Sequence, residues 1–115
     1  MVRDETYPGN GENTTMAVAL EHEEFSKHLN TEFRIHINES ETVAAELTFV
    51  SEHLLSAVQE RFAITFRTSN DIFLGQGIRR LVHDQMGTLD LFLVPIGRDD
   101  EGTTYEAVFN RLVKK

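Results

Sequence analysis

The sequence predicts a mainly β domain: a small antiparallel barrel or two-layer sandwich of about six strands, with one short helix at its front. Three observations predict it. Apolar and polar residues alternate with a period of two in 32–37, 42–50 and 61–67, so each segment buries one face as a strand. Residues 88–110 hold two apolar runs around the acidic turn Asp99-Asp100-Glu101, bounded by Gly97 and Gly102, the pattern of a closing hairpin. Turn signals separate these segments without helical patterns between them, which indicates an antiparallel sheet closed or folded on itself. A flat sheet would leave one apolar face in water, so closure is expected.

The elements follow in order. Residues 1–15 are polar, with Pro8, Gly9 and Gly11, and cannot build a core. Residues 1–19 read as an arm, flexible or docked on a partner, ahead of a single β-domain over 20–115. Within the arm, Thr14, Thr15, Met16, Val18 and Leu20 are the docking residues, since the run from 16 to 20 is apolar enough to lie down as a strand. Residues 21–29 read as a helix whose narrow stripe is Leu20, Phe25 and Leu29. Glu21, Glu23 and Glu24 suit its positive end, and Asn30 stops it.

Strand 32–37 points Phe33, Ile35 and Ile37 inward and Arg34 and His36 outward. After the turn 38–41, strand 42–50 puts Val43, Ala45, Leu47 and Phe49 on one face. Residues 51–59 are ambiguous: Leu54, Leu55 and Val58 suit one helical turn or a packed loop. Strand 61–67 points Phe62, Ile64 and Phe66 inward, and residues 78–83 form a strand whose register the pattern leaves open. In 88–96, Leu89, Leu91 and Leu93 share one face and Phe92, Val94 and Ile96 the other. Such two-sided apolarity belongs to a strand covered on both faces, inside a sheet or at a contact with another molecule. The last strand sets Tyr105, Ala107 and Phe109 on one face.

Composition narrows the function. With 115 residues, 40% of them hydrophobic and eight Phe, the chain is one globular domain with a real core. The formal net charge of −8 argues against nucleic acid and against an anionic membrane surface, both of which need clustered Lys and Arg. No run approaches the ~20 apolar residues of a membrane-spanning helix. The absence of Cys removes thiol catalysis, disulfides and thiolate metal sites. The N-terminus lacks the basic and apolar stretches of a secretory signal, so cytoplasmic synthesis is expected, with assembly into a surface or phage-like structure as the further possibility.

No constellation carries a reaction. His22 and His28 are six residues apart, roughly 120° around a helix, so they cannot share an ion, and no metal or cofactor is expected. The acidic turn lacks the alternate spacing of a calcium loop. None of the Ser residues sits in a Gly-x-Ser-x-Gly elbow, and Gly75-Gln76-Gly77 is too short to cradle phosphate. Arg61, Arg67, Arg79 and Arg80 can gather on one outer sheet face as a site for an anion or acidic partner, although exposed ion pairs are the commoner fate of such Arg. A non-enzyme is therefore expected, the alternative being a hydrolase that uses acidic residues and His83.

Gln76-Gly77, Leu81-Val82-His83, Gly87, the run from Leu91 to Gly97 (LFLVPIG) and the run from Tyr105 to Asn110 (YEAVFN), with Phe25 and Phe33-Arg34-Ile35 before them, resemble an uncharacterised family of small bacterial β-domains over about residues 20–112. The resemblance implies a compact β-fold, no established activity and no catalytic residues to carry over. Members accompany proteins resembling phage tail collars and fibres, which implies a part in surface assembly.

Two functions remain in view. One is a non-enzymatic interaction module, self-assembling or partner-bound, whose arm pairs with a neighbour's sheet edge. The other is a barrel that binds a small molecule or peptide. Phe92, Val94, Ile96, Tyr105 and Phe109 are the candidate contact or lining residues, with Phe62 and Phe66 beside them in the cavity version.

Overall fold

The structure, a computed structural model, describes residues 21–112. The arm 1–19 and its docking residues Thr14, Thr15, Met16, Val18 and Leu20 lie outside the described residues. Helix α1 covers 21–27. The strands are β1 (Glu32–His36), β2 (Thr42–Val50), β3 (Leu54–Leu55), β4 (Gln59–Thr68), β5 (Gly77–His83), β6 (Gly87–Asp99) and β7 (Gly102–Leu112).

Neighbouring strands run β2-β1-β5-β6-β7-β4, and β2 also pairs with β4, so six antiparallel strands close into a barrel. The short β3 continues along the edge of β4 that β2 leaves, Leu54 facing Arg61 and Leu55 facing Glu60. The expected barrel and the single short helix are both present. The period of two is the reason. Phe33 and Ile35, Ala45 and Leu47, then Phe62, Ile64 and Phe66 all point into one centre with Leu81, Leu93, Tyr105 and Ala107. Phe25 of α1 lies over this centre, its ring 5.5 Å from Phe109 and 6.3 Å from Phe62. Each such buried ring contributes roughly 1.5–3 kcal/mol of apolar transfer, so the filled interior is the main source of stability.

α1 ends where Asn30 turns to a φ of 67°, a left-handed conformation that Asn tolerates better than most residues. The Asn30 amide donates to the Leu47 carbonyl at 2.7 Å and Leu47 returns a bond to Thr31, which ties the helix to β2.

Three local expectations are corrected. Leu29 is exposed and His28 takes its place in the buried stripe of the helix, because the tight turn at 28–30 rotates Leu29 outward. Phe49 is 53% exposed, since the β2–β4 register shifts between Leu47 and Phe49 and hands the inward position to Val50. Leu54, Leu55 and Val58 form neither a helical turn nor a packed loop; all three are exposed, the first two in β3. Of the two covers expected for the outer face of β6, no second layer lies on it among the described residues, and Phe92 stands 52% exposed.

Candidate functional site

The wall of the barrel is uneven between β6 and β7. From Val94–Glu106 to Asp99–Gly102 the two strands are zipped in register, with a bulge between Pro95 and Gly97 that leaves Ile96 as the extra residue. Beyond Val94 they part. Among the described residues, 88–93 pair only with β5 and 107–112 pair only with β4. Between the two edges lies an open groove of ≈ 460 Å³, floored by Phe25, Met86, Leu89, Leu91 and Phe109. Glu21, Glu24, Asp90 and Arg111 rim it, and Arg111 reaches Glu21 at 3.4 Å.

α1 is fastened over this region by two histidine networks. His28 and His83 meet edge to face, with centroids 4.7 Å apart. His28 Nδ1 lies 2.9 Å from the Glu24 carbonyl and Nε2 lies 2.8 Å from Gln85 Oε1. Both ring nitrogens thus face acceptors, and both can donate only in the charged form. The His28 pKa is accordingly raised, first by the Gln85 bond and then by the Glu24 carbonyl. His83 is the opposite case. Its Nδ1 accepts from the amides of Gln85 and Met86 at 3.0 and 3.2 Å, which places the proton on Nε2, facing Thr31 Oγ1 at 2.9 Å. Burial first, and then the charge of His28, lower its pKa. With that lone pair occupied and no carboxylate among its hydrogen-bond partners, His83 fastens the turn at 84–86 rather than offering a free base.

The second network lies on the other flank of α1. Glu60 is 1% exposed and its Oε1 is 2.9 Å from His53 Nε2, a buried carboxylate satisfied by one imidazole. His22 stacks on His53 at 5.5 Å and bonds the Ser51 carbonyl at 2.8 Å. Among the described residues no group of three or more His, Cys, Asp or Glu is placed to hold a metal ion. No described helix is long and apolar enough to cross a membrane.

The sequence-predicted residues divide. Phe92, Val94 and Ile96 lie on the outer wall, where Phe92 pairs directly with Ile78, itself 73% exposed. Tyr105 and Phe109 face the other way, into the barrel. Tyr105 is fully buried, its hydroxyl accepting from the Leu74 amide at 2.7 Å, and Phe109 stacks on Phe62 at 4.5 Å. Phe62 and Phe66 fill the core instead of lining a cavity.

Nor do the four Arg gather. Arg61 and Arg67 are on β4, while Arg79 and Arg80 are on β5, with two strands between them in either direction around the barrel. Arg67 bonds Glu101 at 3.0 Å and Asp99 at 3.4 Å, and Arg80 bonds Asp90 at 3.1 Å. Arg79 bonds the Gly75 carbonyl at 2.8 Å. Acidic neighbours occupy Arg67 and Arg80 and a loop carbonyl takes Arg79, as a surplus of carboxylates favours.

A family model described as Domain of unknown function (DUF6916) matches residues 20–109. The chain belongs to that family. The DUF6916 match spans α1 and every strand through most of β7, so it includes both histidine networks, the outer wall and all of the groove except Arg111. No curated protein and no solved structure matches the chain.

Proposed function

We propose that this DUF6916 domain is a non-enzymatic self-assembling module that docks a second copy of itself through the outer wall of β5 and β6. The observation that carries the reading is the directly paired Ile78 and Phe92, both more than half exposed on a barrel whose core is already full. Soluble monomers rarely leave adjoining large apolar side chains in water without a partner. Charge favours a second copy over an unrelated protein. The neighbouring pair on this wall is Arg80 and Asp90, one cation and one anion in register. A two-fold contact would set Arg80 of each copy against Asp90 of the other, so the patch complements itself on a chain whose net charge of −8 is otherwise repulsive.

The test is the mass of the full chain in solution. Wild type should exceed the monomer mass by light scattering, and the double variant Ile78→Ser with Phe92→Ser should return it to monomer at unchanged thermal stability. A wild type that stays monomeric over a hundredfold concentration range would overturn the reading. A subunit of a phage-tail or fibre assembly is its finer form, distinguished in the same measurement by open-ended growth in place of a dimer. The second reading, a bound peptide or small molecule, rests on the groove between β6 and β7, since the barrel centre is filled by Phe33, Phe62, Phe66 and Tyr105.

A further inference from the structure

His83 is held in one protonation state by its neighbours. Its Nδ1 accepts from the backbone amides of Gln85 and Met86 at 3.0 and 3.2 Å, and an amide N–H can only donate. On the other side, the Thr31 hydroxyl donates to the His28 carbonyl at 2.6 Å, which leaves its oxygen to accept from His83 Nε2 at 2.9 Å. The neutral ring with its proton on Nε2 satisfies all of these bonds. A charged ring cannot, because a proton on Nδ1 would point at two N–H groups and both amide bonds would be lost.

His28 has the opposite requirement and depends on the same turn. Its ring nitrogens face the Glu24 carbonyl and Gln85 Oε1, so the charged form satisfies both. Gln85 therefore receives His28 through its side chain while its own amide rests on His83. The rings are 4.7 Å apart and both residues are buried, so a proton on His83 would set two cations side by side. Glu24 and Lys27 of α1 act on His28, and Asp84 of the turn draws a proton toward His83. β1 contributes the neutral Phe33 ring, 4.3 Å from His83.

We propose that His83 is an acid-operated latch: a proton on its Nδ1 frees the 84–86 turn, and with it the C-terminal end of α1, from the barrel. Once the turn moves, Gln85 no longer holds His28, and Phe25, which packs on Phe62 and Phe109, loses the support of its helix. The opposite flank responds in the other direction. His22 of α1 stacks on His53, and His53 Nε2 lies 2.9 Å from the buried Glu60 carboxylate. A charged His53 binds that carboxylate more strongly. Acid thus pivots α1 about its N-terminal flank and leaves the barrel folded. The outer-wall contact proposed above uses other residues, and the two readings can fail separately.

The sign follows from linkage. With the latch closed, burial and the charge of His28 hold the His83 pKa below its ordinary 6.5, and opening returns it toward that value. The open form binds the proton more readily, so closure has its full strength above pH 6.5 and weakens as the pH falls below it.

Amide exchange on the full-length protein, expressed as protection relative to an unstructured chain at each pH, tests it. Protection of Gln85 and Met86 should be nearly constant from about pH 8 to about pH 7 and then fall by up to about tenfold per pH unit, the slope of one proton, while β4 amides keep theirs. His83→Asn places a carbonyl oxygen near the position of Nδ1, accepts the same amides and does not titrate, so it should abolish the fall. Protection that is independent of pH in wild type, or that falls equally in wild type and His83→Asn, would overturn the proposal. The imidazole nitrogen resonances of wild type need no variant: at about pH 8, Nδ1 of His83 should be bare and Nε2 protonated. A proton on Nδ1 at that pH would equally overturn it.

Discussion

The two halves of the β6–β7 ribbon use similar residues and end in different states. At the hairpin half, backbone ladders, a bulge and a network of side chains close the wall. Asp99 accepts from the amides of Glu101 and Gly102, Arg67 grips both Asp99 and Glu101, and Thr103 and Tyr105 are fully buried. At the other half the same strands diverge, and side chains from α1 and the 84–86 turn do the covering. At the tip of the hairpin half, where Gly102 lies against Thr68, a single added atom has nowhere to go. Where side chains and a helix close the wall, substitutions have room to settle.

The strongest test of this contrast is a methyl group. A Cβ at Gly102 would overlap the Thr68 carbonyl oxygen and lie 3.1 Å from Arg67 Cγ, and backbone cannot move aside as a flexible side chain can. Gly102→Ala should lower stability by about 3 kcal/mol or more, read from chemical denaturation. Gly97, five residues away in the same ribbon, is surrounded by open space: a methyl group there would meet nothing within 4 Å. Gly97→Ala should change stability by less than about 0.5 kcal/mol. Equal losses would show that the approach of Gly102 to Thr68 is not what makes the hairpin tip tight.

Tyr105→Phe probes the same half by one oxygen atom. The ring keeps its packing, but the Leu74 amide loses its acceptor inside the protein. An unsatisfied buried donor costs about 1–3 kcal/mol, so the variant should fall between the two glycine substitutions on the same denaturation axis. A neutral result would mean that Leu74 finds water once the hydroxyl is gone.

What could be seen in advance follows from the same physics. Strands β1, β2 and β4 were legible because a half-buried strand writes its burial into every second residue, and Phe33, Leu47, Phe62 and Phe66 are where that pattern puts them. Phe49 was not, because one bulge inverts every position after it and leaves no mark in composition. The two faces of β6 announced that Phe92 needs company without saying whether the company is a second layer or a second molecule. Glu60 was legible in principle: the alternation of Phe62, Ile64 and Phe66 carried back two residues lands on it, and an inward carboxylate demands a partner such as His53. The clustering of His22, His28, His53 and His83 around α1 was hidden, since it joins residues up to 61 positions apart through barrel closure.

A small effect with a definite sign belongs to the open half. The folded-state pKa of His28 lies above its ordinary 6.5, raised by the Gln85 bond and the Glu24 carbonyl against the opposing influences of burial and Lys27. A group with a raised folded pKa contributes its full stability below the unfolded value and loses it as pH rises through the folded value. His83 faces His28 directly, and burial and the charge of His28 lower its pKa, so its own titration is displaced to the acid side of that of His28. A charged His at the C-terminal end of a helix is typically worth about 0.3–1 kcal/mol, and α1 ends one residue before His28. The stability difference between wild type and His28→Gln should therefore be greatest below pH 6.5 and shrink as the pH rises above it, measured as the gap between their denaturation midpoints. A gap that stays constant over that range would mean that His28 holds α1 by packing and a neutral hydrogen bond, and that the open half of the ribbon is no more sensitive to charge than the closed half.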